Sequence, residues 1–161
     1  MVAIFALADQ EISRELVCNW LKKDDDENAI NCPDVQLAAF LNGFIIEKRG
    51  KREGEQPTPE KNLNNNLILT KLKIALSLRA EELIELLQLA NLRISKAELS
   101  AFFRKPDHKH YRQCKDQILR NFLQGMQTKY YVERSKKIDF GVKKVSEDKA
   151  DKVDAINKTQ T

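Results

Sequence analysis

The chain has 161 residues and carries 28 Lys plus Arg against 24 Asp plus Glu, a formal net charge of +4. A mean hydropathy of −0.54 and the lack of any run near the ~18 apolar residues of a membrane span argue against a membrane protein. The first residues lack the basic region of a secretory signal. Three widely spaced cysteines, Cys18, Cys32 and Cys114, do not make a disulfide framework, so a cytoplasmic protein is expected.

Helical periodicity predicts three helices in the first third of the chain, near residues 1–9, 13–23 and 33–47. Residues 48–63 follow, with two glycines, two prolines and charges throughout. This composition is typical of a solvated linker, because glycine and proline interrupt helices and charged side chains prefer water.

Four more helices are predicted between residues 64 and 131. Apolar side chains recur at spacings near 3.6 over 66–78 and again over 83–90. No stretch alternates between apolar and polar residues as a half-buried strand would. The sequence therefore predicts an all-α fold.

The last two helices have recognisable boundaries. Ser95 and Glu98 form a capping box ahead of the third helix of this group, which is expected to stop before Pro106. The fourth helix is predicted over 114–131. Residues 132–161 are charged and poor in large apolar side chains, which predicts a mostly disordered, flexible tail.

The chain also repeats itself. Ile12-Ser13 recurs as Ile94-Ser95, and the same spacing, which we call the repeat offset, continues without a gap through the apolar positions. Two positions separated by it are called repeat partners. Identical repeat partners include Leu7/Leu89, Lys23/Lys105, Asp25/Asp107, Cys32/Cys114, Asp34/Asp116 and Gly43/Gly125. This self-similarity predicts two tandem copies of one unit of about four helices, a first repeat over 1–47 and a second over 64–131.

The first repeat is expected to be incomplete. The helix over 66–78 has no counterpart, because the repeat partner of Asn66 would precede residue 1. A missing N-terminal helix is the favoured explanation. For the chain as given, an uncovered apolar face of Val2, Ile4 and Phe5 would predict self-association or marginal stability.

Three strings carry a resemblance to a known family. They are AAFLNGFIIEKRGKREG from Ala38, LNNNLILTKLKIALSL from Leu63 and ISKAELSAFFRKPDHKHYRQC from Ile94. With them, residues 1–130 resemble the YehS-like family of small bacterial proteins, a domain of unknown function usually present as two tandem copies. The resemblance implies a fold and a first helix similar to the NNNLILTKLKIAL string, and it implies no activity, cofactor or catalytic residue.

Charge is distributed unevenly between the repeats. Residues 1–45 hold three basic and eight acidic side chains, whereas residues 64–131 hold twelve basic and six acidic ones. Such asymmetry between halves is typical of proteins that bind a charged partner.

Two basic clusters are the candidate binding residues. They comprise Lys48, Arg49, Lys51 and Arg52 in the linker, and Arg104, Lys105, His108, Lys109, His110, Tyr111, Arg112 and Lys115 after the third helix of the second repeat. Cations beside aromatic rings suit a phosphate backbone and stacked bases, so RNA or DNA is one predicted partner. The helices over 83–90 and from Ser95 also resemble a helix-turn-helix pair.

The alternative is a protein-interaction or adaptor module. The first repeat turns the same loop acidic with Asp24, Asp25, Asp26 and Glu27, which a duplicated nucleic-acid reader would not need. Opposite loops could attract each other or recognise charged patches on a protein. An acidic protein surface is therefore the second predicted partner of the basic clusters.

Other side-chain sets favour structural roles. His108, His110 and Cys114 offer zinc ligands, but the first repeat does not share the histidines, so an exposed loop is preferred. Asp34 and Asp116 suit the first turns of helices. No catalytic motif, cofactor motif or metal set is found, and we expect a binding protein that is not an enzyme and needs no cofactor.

Overall fold

The computed structural model describes residues 1–131, which form seven α-helices and no strand within that range. The helices are α1 (Val2–Leu7), α2 (Arg14–Trp20), α3 (Asp34–Arg49), α4 (Asn65–Ala75), α5 (Ala80–Leu89), α6 (Lys96–Ala101) and α7 (residues 116–131). The predicted all-α class is confirmed for this part of the chain. The tail predicted over 132–161 lies outside the described residues.

We call α1–α3 the N-terminal unit and α4–α7 the C-terminal unit. A serine caps the N-terminus of α2 in the N-terminal unit and of α6 in the C-terminal unit. The Ser13 hydroxyl accepts a hydrogen bond from the Leu16 N–H at 3.1 Å, and the Ser95 hydroxyl accepts one from the Glu98 N–H at 3.2 Å. The Glu98 carboxylate accepts the Ser95 N–H at 2.9 Å, which completes the predicted capping box.

Both capped helices end earlier than predicted. α6 stops at Ala101, well before Pro106, because the Arg112 N–H donates to the Ala101 carbonyl at 3.2 Å. The Asn66 amide donates to the next carbonyl, that of Phe102, at 2.8 Å. Because these two carbonyls already accept hydrogen bonds from other groups, they are not available to the N–H groups that would extend α6.

The buried apolar residues form two cores of different size, and the larger one crosses the boundary between the units. The larger core is shared by α3 to α7 and consists of Leu41, Leu69, Leu72, Leu83, Leu86, Leu87, Leu99, Phe102, Cys114 and Phe122. The smaller consists of Phe5, Val17 and Ala39, with Ile12, Trp20 and Phe40 packed around it. The prediction that Phe5 is uncovered is wrong, because Phe5 is 2% exposed and its ring lies 5.3 Å from that of Phe40.

The segment between the units is anchored to the helices. α3 continues to Arg49, past the boundary predicted at 47. Beyond it, the Asn42 amide donates to the Pro57 carbonyl at 3.2 Å, and the Leu63 N–H donates to the Asp34 carboxylate at 2.8 Å. Helix α4 then packs against α3, so the connecting segment lies along the surface that joins the units.

Candidate functional site

The loop over residues 104–115, which we call the basic loop, is held by its own turns. The His108 N–H donates to the Lys105 carbonyl at 3.0 Å, and the Tyr111 N–H donates to the His108 carbonyl at 2.7 Å. The Arg112 N–H then returns to the end of α6. These bonds curl the loop so that side chains from its two ends come together.

An open hollow of about 600 Å³ lies between the basic loop and α6. We call it the basic hollow, and it is lined by Ala97, Glu98, Ala101, Arg104, Lys109, His110, Tyr111 and Arg112. Five of the predicted binding residues thus border one concave surface. Glu98 is the one acid in this lining, and the Ser95 hydroxyl, which donates to its carboxylate, lowers the pKa of Glu98.

A smaller hollow of about 200 Å³ adjoins the basic loop on the side of α4. Lys105, Arg104 and Tyr111 are among its lining residues, together with Phe102 and Phe103. Arg104 and Tyr111 therefore border both hollows. The cation of Arg104 and the ring of Tyr111 are placed where a ligand could extend from one hollow to the other.

His108 and Lys115 do not line the basic hollow. The His108 Nδ1 accepts the His110 N–H at 3.1 Å, which for a neutral ring places the proton on Nε2. The same turn in the N-terminal unit uses Asp26, whose carboxylate accepts the Asn28 N–H at 2.8 Å. The His108 ring thus accepts a hydrogen bond that stabilises the turn of the basic loop. In residues 1–131 no three His, Cys, Asp or Glu side chains are grouped as metal ligands.

The linker cluster of Lys48, Arg49, Lys51 and Arg52 makes contacts of its own. The Lys48 ammonium lies 5.6 Å from the Phe44 ring centre, Arg49 donates to the Ser77 hydroxyl at 2.7 Å, and Lys51 pairs with Asp9 at 3.7 Å. All four side chains are exposed. Arg49 in particular connects the end of α3 to the end of α4.

The two basic clusters lie at opposite ends of α4. Arg49 contacts Ser77, just after its C-terminus, whereas the Asn65 side chain at its N-terminus donates to Asp116 beside the basic loop at 2.6 Å. Eleven helical residues separate these ends by ~16 Å. The two clusters are therefore separate surfaces.

The acidic loop of residues 24–27 makes its ion pair locally. Asp26 lies 3.3 Å from Lys22, and the pKa of Asp26 is lowered by the Asn28 N–H and by Lys22. Among residues 1–131, no ion pair joins the acidic loop to the basic loop. The basic hollow is thus not covered by the acidic loop of its own chain.

The paired Cys-Asp positions have structural contacts. Burial raises the pKa of the Cys114 thiol to about 11, and the adjacent Asp116 contributes to the rise. Burial and Asp34 likewise raise the pKa of Cys32. Both thiols are therefore protonated at neutral pH, which does not favour the thiolate that a reactive cysteine needs.

Sequence reasoning missed Asn66, the most connected polar side chain of the C-terminal unit. It is 6% exposed, and it donates to the Phe102 and Arg112 carbonyls and accepts the Cys114 N–H at 2.8 to 2.9 Å. Asn66 is the last of three consecutive asparagines, and nothing in that run predicts this role. Its one signal is that it follows the N-cap Asn64 on the face that carries Leu69.

The chain is similar in sequence to an uncharacterised bacterial protein and to a family model. Each helix in residues 1–131 is too short or too polar to cross a bilayer. The chain is 43% identical over 135 residues to the "Uncharacterized protein YehS" of Escherichia coli (strain K12), covering 83% of this chain and 86% of that relative. No solved structure matches. The family model "Protein of unknown function (DUF1456)" matches residues 1–50 and 65–131, and the chain therefore belongs to the DUF1456 family.

Proposed function

We propose that the protein binds the phosphate backbone of RNA or DNA in the basic hollow. The observation that carries the proposal is the convergence of Arg104, Lys109 and Arg112 on one concave surface beside His110 and Tyr111. Guanidinium groups recognise phosphate oxygens with two parallel hydrogen bonds. Aromatic rings provide flat surfaces on which unpaired bases stack.

The proposed contact uses the basic loop instead of a recognition helix. α6 has six residues, and its cation, Lys96, is 2.6 Å from the Glu81 carboxylate of α5. The residues of α6 therefore offer little to a major groove. The loop cations that border the basic hollow are exposed. Among them, Arg104 makes long contacts of 3.4 to 3.5 Å with the ring nitrogens of His108.

Fluorescence anisotropy with labelled single-stranded RNA and DNA, and with a duplex, tests the proposal. The variant R104A/K109A/R112A is expected to weaken binding at least about tenfold and to reduce the slope of log affinity against log salt by about two to three, since each cation releases about one counterion. The matched control R14A/K23A/R120A removes two exposed arginines and one exposed lysine elsewhere. Equal effects of the two variants, or no binding by the native chain, would contradict the proposal.

The second candidate partner is an acidic protein surface, which the same cations favour. Labelled polyglutamate is the probe for it. Binding of polyglutamate that exceeds nucleic-acid binding at equal salt, and that the R104A/K109A/R112A variant loses, would favour this alternative. A nucleic-acid site would instead prefer the oligonucleotides because the rings of His110 and Tyr111 have bases to stack on.

We also propose that the chain consists of two tandem copies of one unit. Support comes from features that recur at repeat partners, including the serine caps at Ser13 and Ser95. Asp9 and Asn91, another pair of repeat partners, both adopt positive φ angles, 55° and 59°. A solved structure of the chain tests this proposal. The helices of the two units are expected to superpose, with matching serine caps and matching turns at Asp9 and Asn91.

We infer a cytoplasmic location from the thiols. Cys18, Cys32 and Cys114 are free, and Cys18 and Cys32 are exposed. Exposed free thiols are typical of a reducing compartment. Fractionation of cells that express the tagged chain checks the location, and recovery in an oxidising compartment would contradict it.

A further inference from the structure

Another hollow, of about 350 Å³, adjoins the basic hollow. We call it the apolar hollow, because most of its lining consists of Leu92, Ile94, Phe102 and Ile118. Phe102 is 6% exposed, and the other three side chains are half-buried against the larger core. Pockets that hold small organic ligands measure about 300 to 1,000 Å³. The apolar hollow is at the lower end of that range, which suits a single ring system with its substituents.

Three polar side chains, Arg93, Glu98 and Arg112, complete the lining of the apolar hollow. Glu98 and Arg112 also line the basic hollow, so the two hollows meet at this pair. All three side chains are exposed, and within residues 1–131 neither arginine takes part in an ion pair. A ligand whose anionic part lies in the basic hollow could thus place an attached ring in the apolar hollow.

The Glu98 carboxylate decides which part of such a ligand suits the apolar hollow. Ser95 donates its N–H and its hydroxyl to Glu98 Oε2, at 2.9 and 2.7 Å, and no hydrogen bond from the described residues reaches Oε1. Because these bonds lower the pKa of Glu98, the carboxylate is ionised at neutral pH. An ionised carboxylate repels phosphate and accepts N–H donors. The base of a nucleotide therefore fits beside Glu98 better than its phosphate does.

The fold does not require the polar residues of this lining. The repeat partners of Arg93, Glu98 and Arg112 are Glu11, Leu16 and Ile30. Helix α2 forms with Leu16 at the position of Glu98, and the Ser13 hydroxyl caps it without a carboxylate. The combination of two arginines and one glutamate is thus particular to the C-terminal unit, where the basic hollow also lies.

We propose that the apolar hollow binds one unpaired base of a nucleic-acid strand whose phosphates lie in the basic hollow. This inference rests on the proposed function, and it names single strands as the ligand class. Arg112 would contact the phosphate next to the base, and Glu98 Oε1 would accept an N–H from the Watson–Crick edge of the base. In a duplex that edge is paired and the base stays in the stack, so the site selects unpaired strands.

Fluorescence anisotropy of the full chain with three labelled DNA probes tests the proposal. The probes are a thymidine strand of about ten nucleotides, within the usual range of single-strand sites, an abasic strand of equal length with tetrahydrofuran at each sugar, and a thymidine–adenosine duplex. The two single strands carry the same number of phosphates. The native chain is expected to bind the thymidine strand at least about tenfold more tightly than the abasic strand, and more tightly than the duplex.

The Glu98→Gln variant distinguishes the apolar hollow from stacking on the rings of the basic loop. Glutamine retains the capping box, but its free amide nitrogen cannot accept the thymine N–H. The preference for the thymidine strand over the abasic strand is expected to fall at least about fivefold. Binding of the abasic strand should not weaken, since an acid leaves the basic hollow. An effect of the Glu98 charge alone would change the affinity for both strands equally.

Glu82→Gln is the matched control. The Glu82 carboxylate accepts the Arg79 N–H at 2.7 Å in the same capping arrangement at α5, and Glu82 lines neither hollow. This variant is expected to keep the native preference for the thymidine strand. Thermal denaturation of both variants shows whether each one is folded at the temperature of the binding measurement.

Three results would overturn the base pocket and leave the proposed function standing, provided that R104A/K109A/R112A still abolishes binding. They are equal affinity for the thymidine and abasic strands, equal or tighter binding of the duplex, and an unchanged preference in Glu98→Gln. The same loss of preference in Glu82→Gln would also overturn the base pocket. A native chain that binds none of the three probes would overturn both proposals.

Discussion

The carbonyl oxygen of Leu86 lies where a β-carbon on Gly125 would have to be, so α5 and α7 touch backbone to backbone. The carbonyl oxygen of Ile4 occupies the same place over Gly43, where α1 meets α3. Neither glycine has a positive φ, so the absence of a side chain, and not backbone freedom, is what each contact requires. Glycine at both repeat partners thus allows two helices to approach closely.

Gly125→Ala is therefore expected to be destabilising despite the better helix propensity of alanine. The added methyl would push α5 away from α7, and overpacking of this kind lowers the free energy of unfolding by about 1 to 3 kcal/mol. Urea denaturation measures the change. Gln127→Ala, at an exposed position of the same helix, is the control, and equal stability of the two variants would contradict the prediction.

Lys71 connects α4 to α3 and to the segment that precedes α4. Its ammonium is 2.9 Å from the Glu60 carboxylate and 2.5 Å from the Asn42 side-chain oxygen, and Lys71 is 8% exposed. Lys71→Ala is expected to lower the free energy of unfolding by about 1 to 3 kcal/mol, since it leaves a buried amide oxygen unpaired. It should also speed tryptic cleavage after Lys61, because Glu60 is released.

Lys73→Ala is the control for that measurement, because Lys73 is less buried and makes no ion pair within residues 1–131. Cleavage after Lys61 at the native rate in Lys71→Ala would show that the ion pair does not hold the segment. Denaturation and proteolysis are read on the same samples, so a general loss of stability is distinguished from local release.

Cys114 should make the stability of the protein sensitive to alkaline pH. Burial raises its pKa from an ordinary value of 9.0 to about 11, so the folded state holds the thiol proton more tightly than the unfolded state. The associated stability is complete below pH 9 and is lost as pH rises towards 11. Denaturation of the native chain and of Cys114→Ala across this range checks the sign, and parallel curves for the two proteins would contradict it.

The capping box of α6 should lose its contribution to the stability of the folded protein in acid. The Ser95 hydroxyl and the Ser95 N–H hold the pKa of Glu98 below its usual value of 4.5, so the contribution is present above that value and is lost as pH falls through the folded pKa. Ser95→Ala should lower Tm at neutral pH and less so in acid. Ser13→Ala is the matched control, because its cap faces Leu16 and has no carboxylate. An equal pH dependence of the two serine variants would contradict the prediction.

The helices could be predicted because their signals are local. The period of apolar residues and the capping serines belong to single segments, and each predicted segment contains a helix whose bounds differ only modestly from the prediction. The ends of α2 and α6 were less predictable. They depend on bonds from residues well beyond the helix, such as that from the Ile30 N–H to the Asn19 carbonyl at 3.2 Å.

The candidate site was predictable in composition and not in shape. The cations were visible in the sequence, but the grouping of Arg104, Lys109 and Arg112 around one hollow depends on how the basic loop curls. The separation of Arg49 from that group depends on the length and position of α4. Sequence spacing says nothing about such distances, since they arise from contacts between elements.

The all-α class, the seven helical segments and the repeat offset that relates their residues can all be read from the sequence, because they follow from local backbone preferences and from identity of side chains. Contacts between helices, in contrast, bury Phe5 and direct Asn66 to three backbone groups. The physical reason is that burial depends on which helices meet. Identical residues such as Cys32 and Cys114 differ in exposure because α4 covers one and not the other.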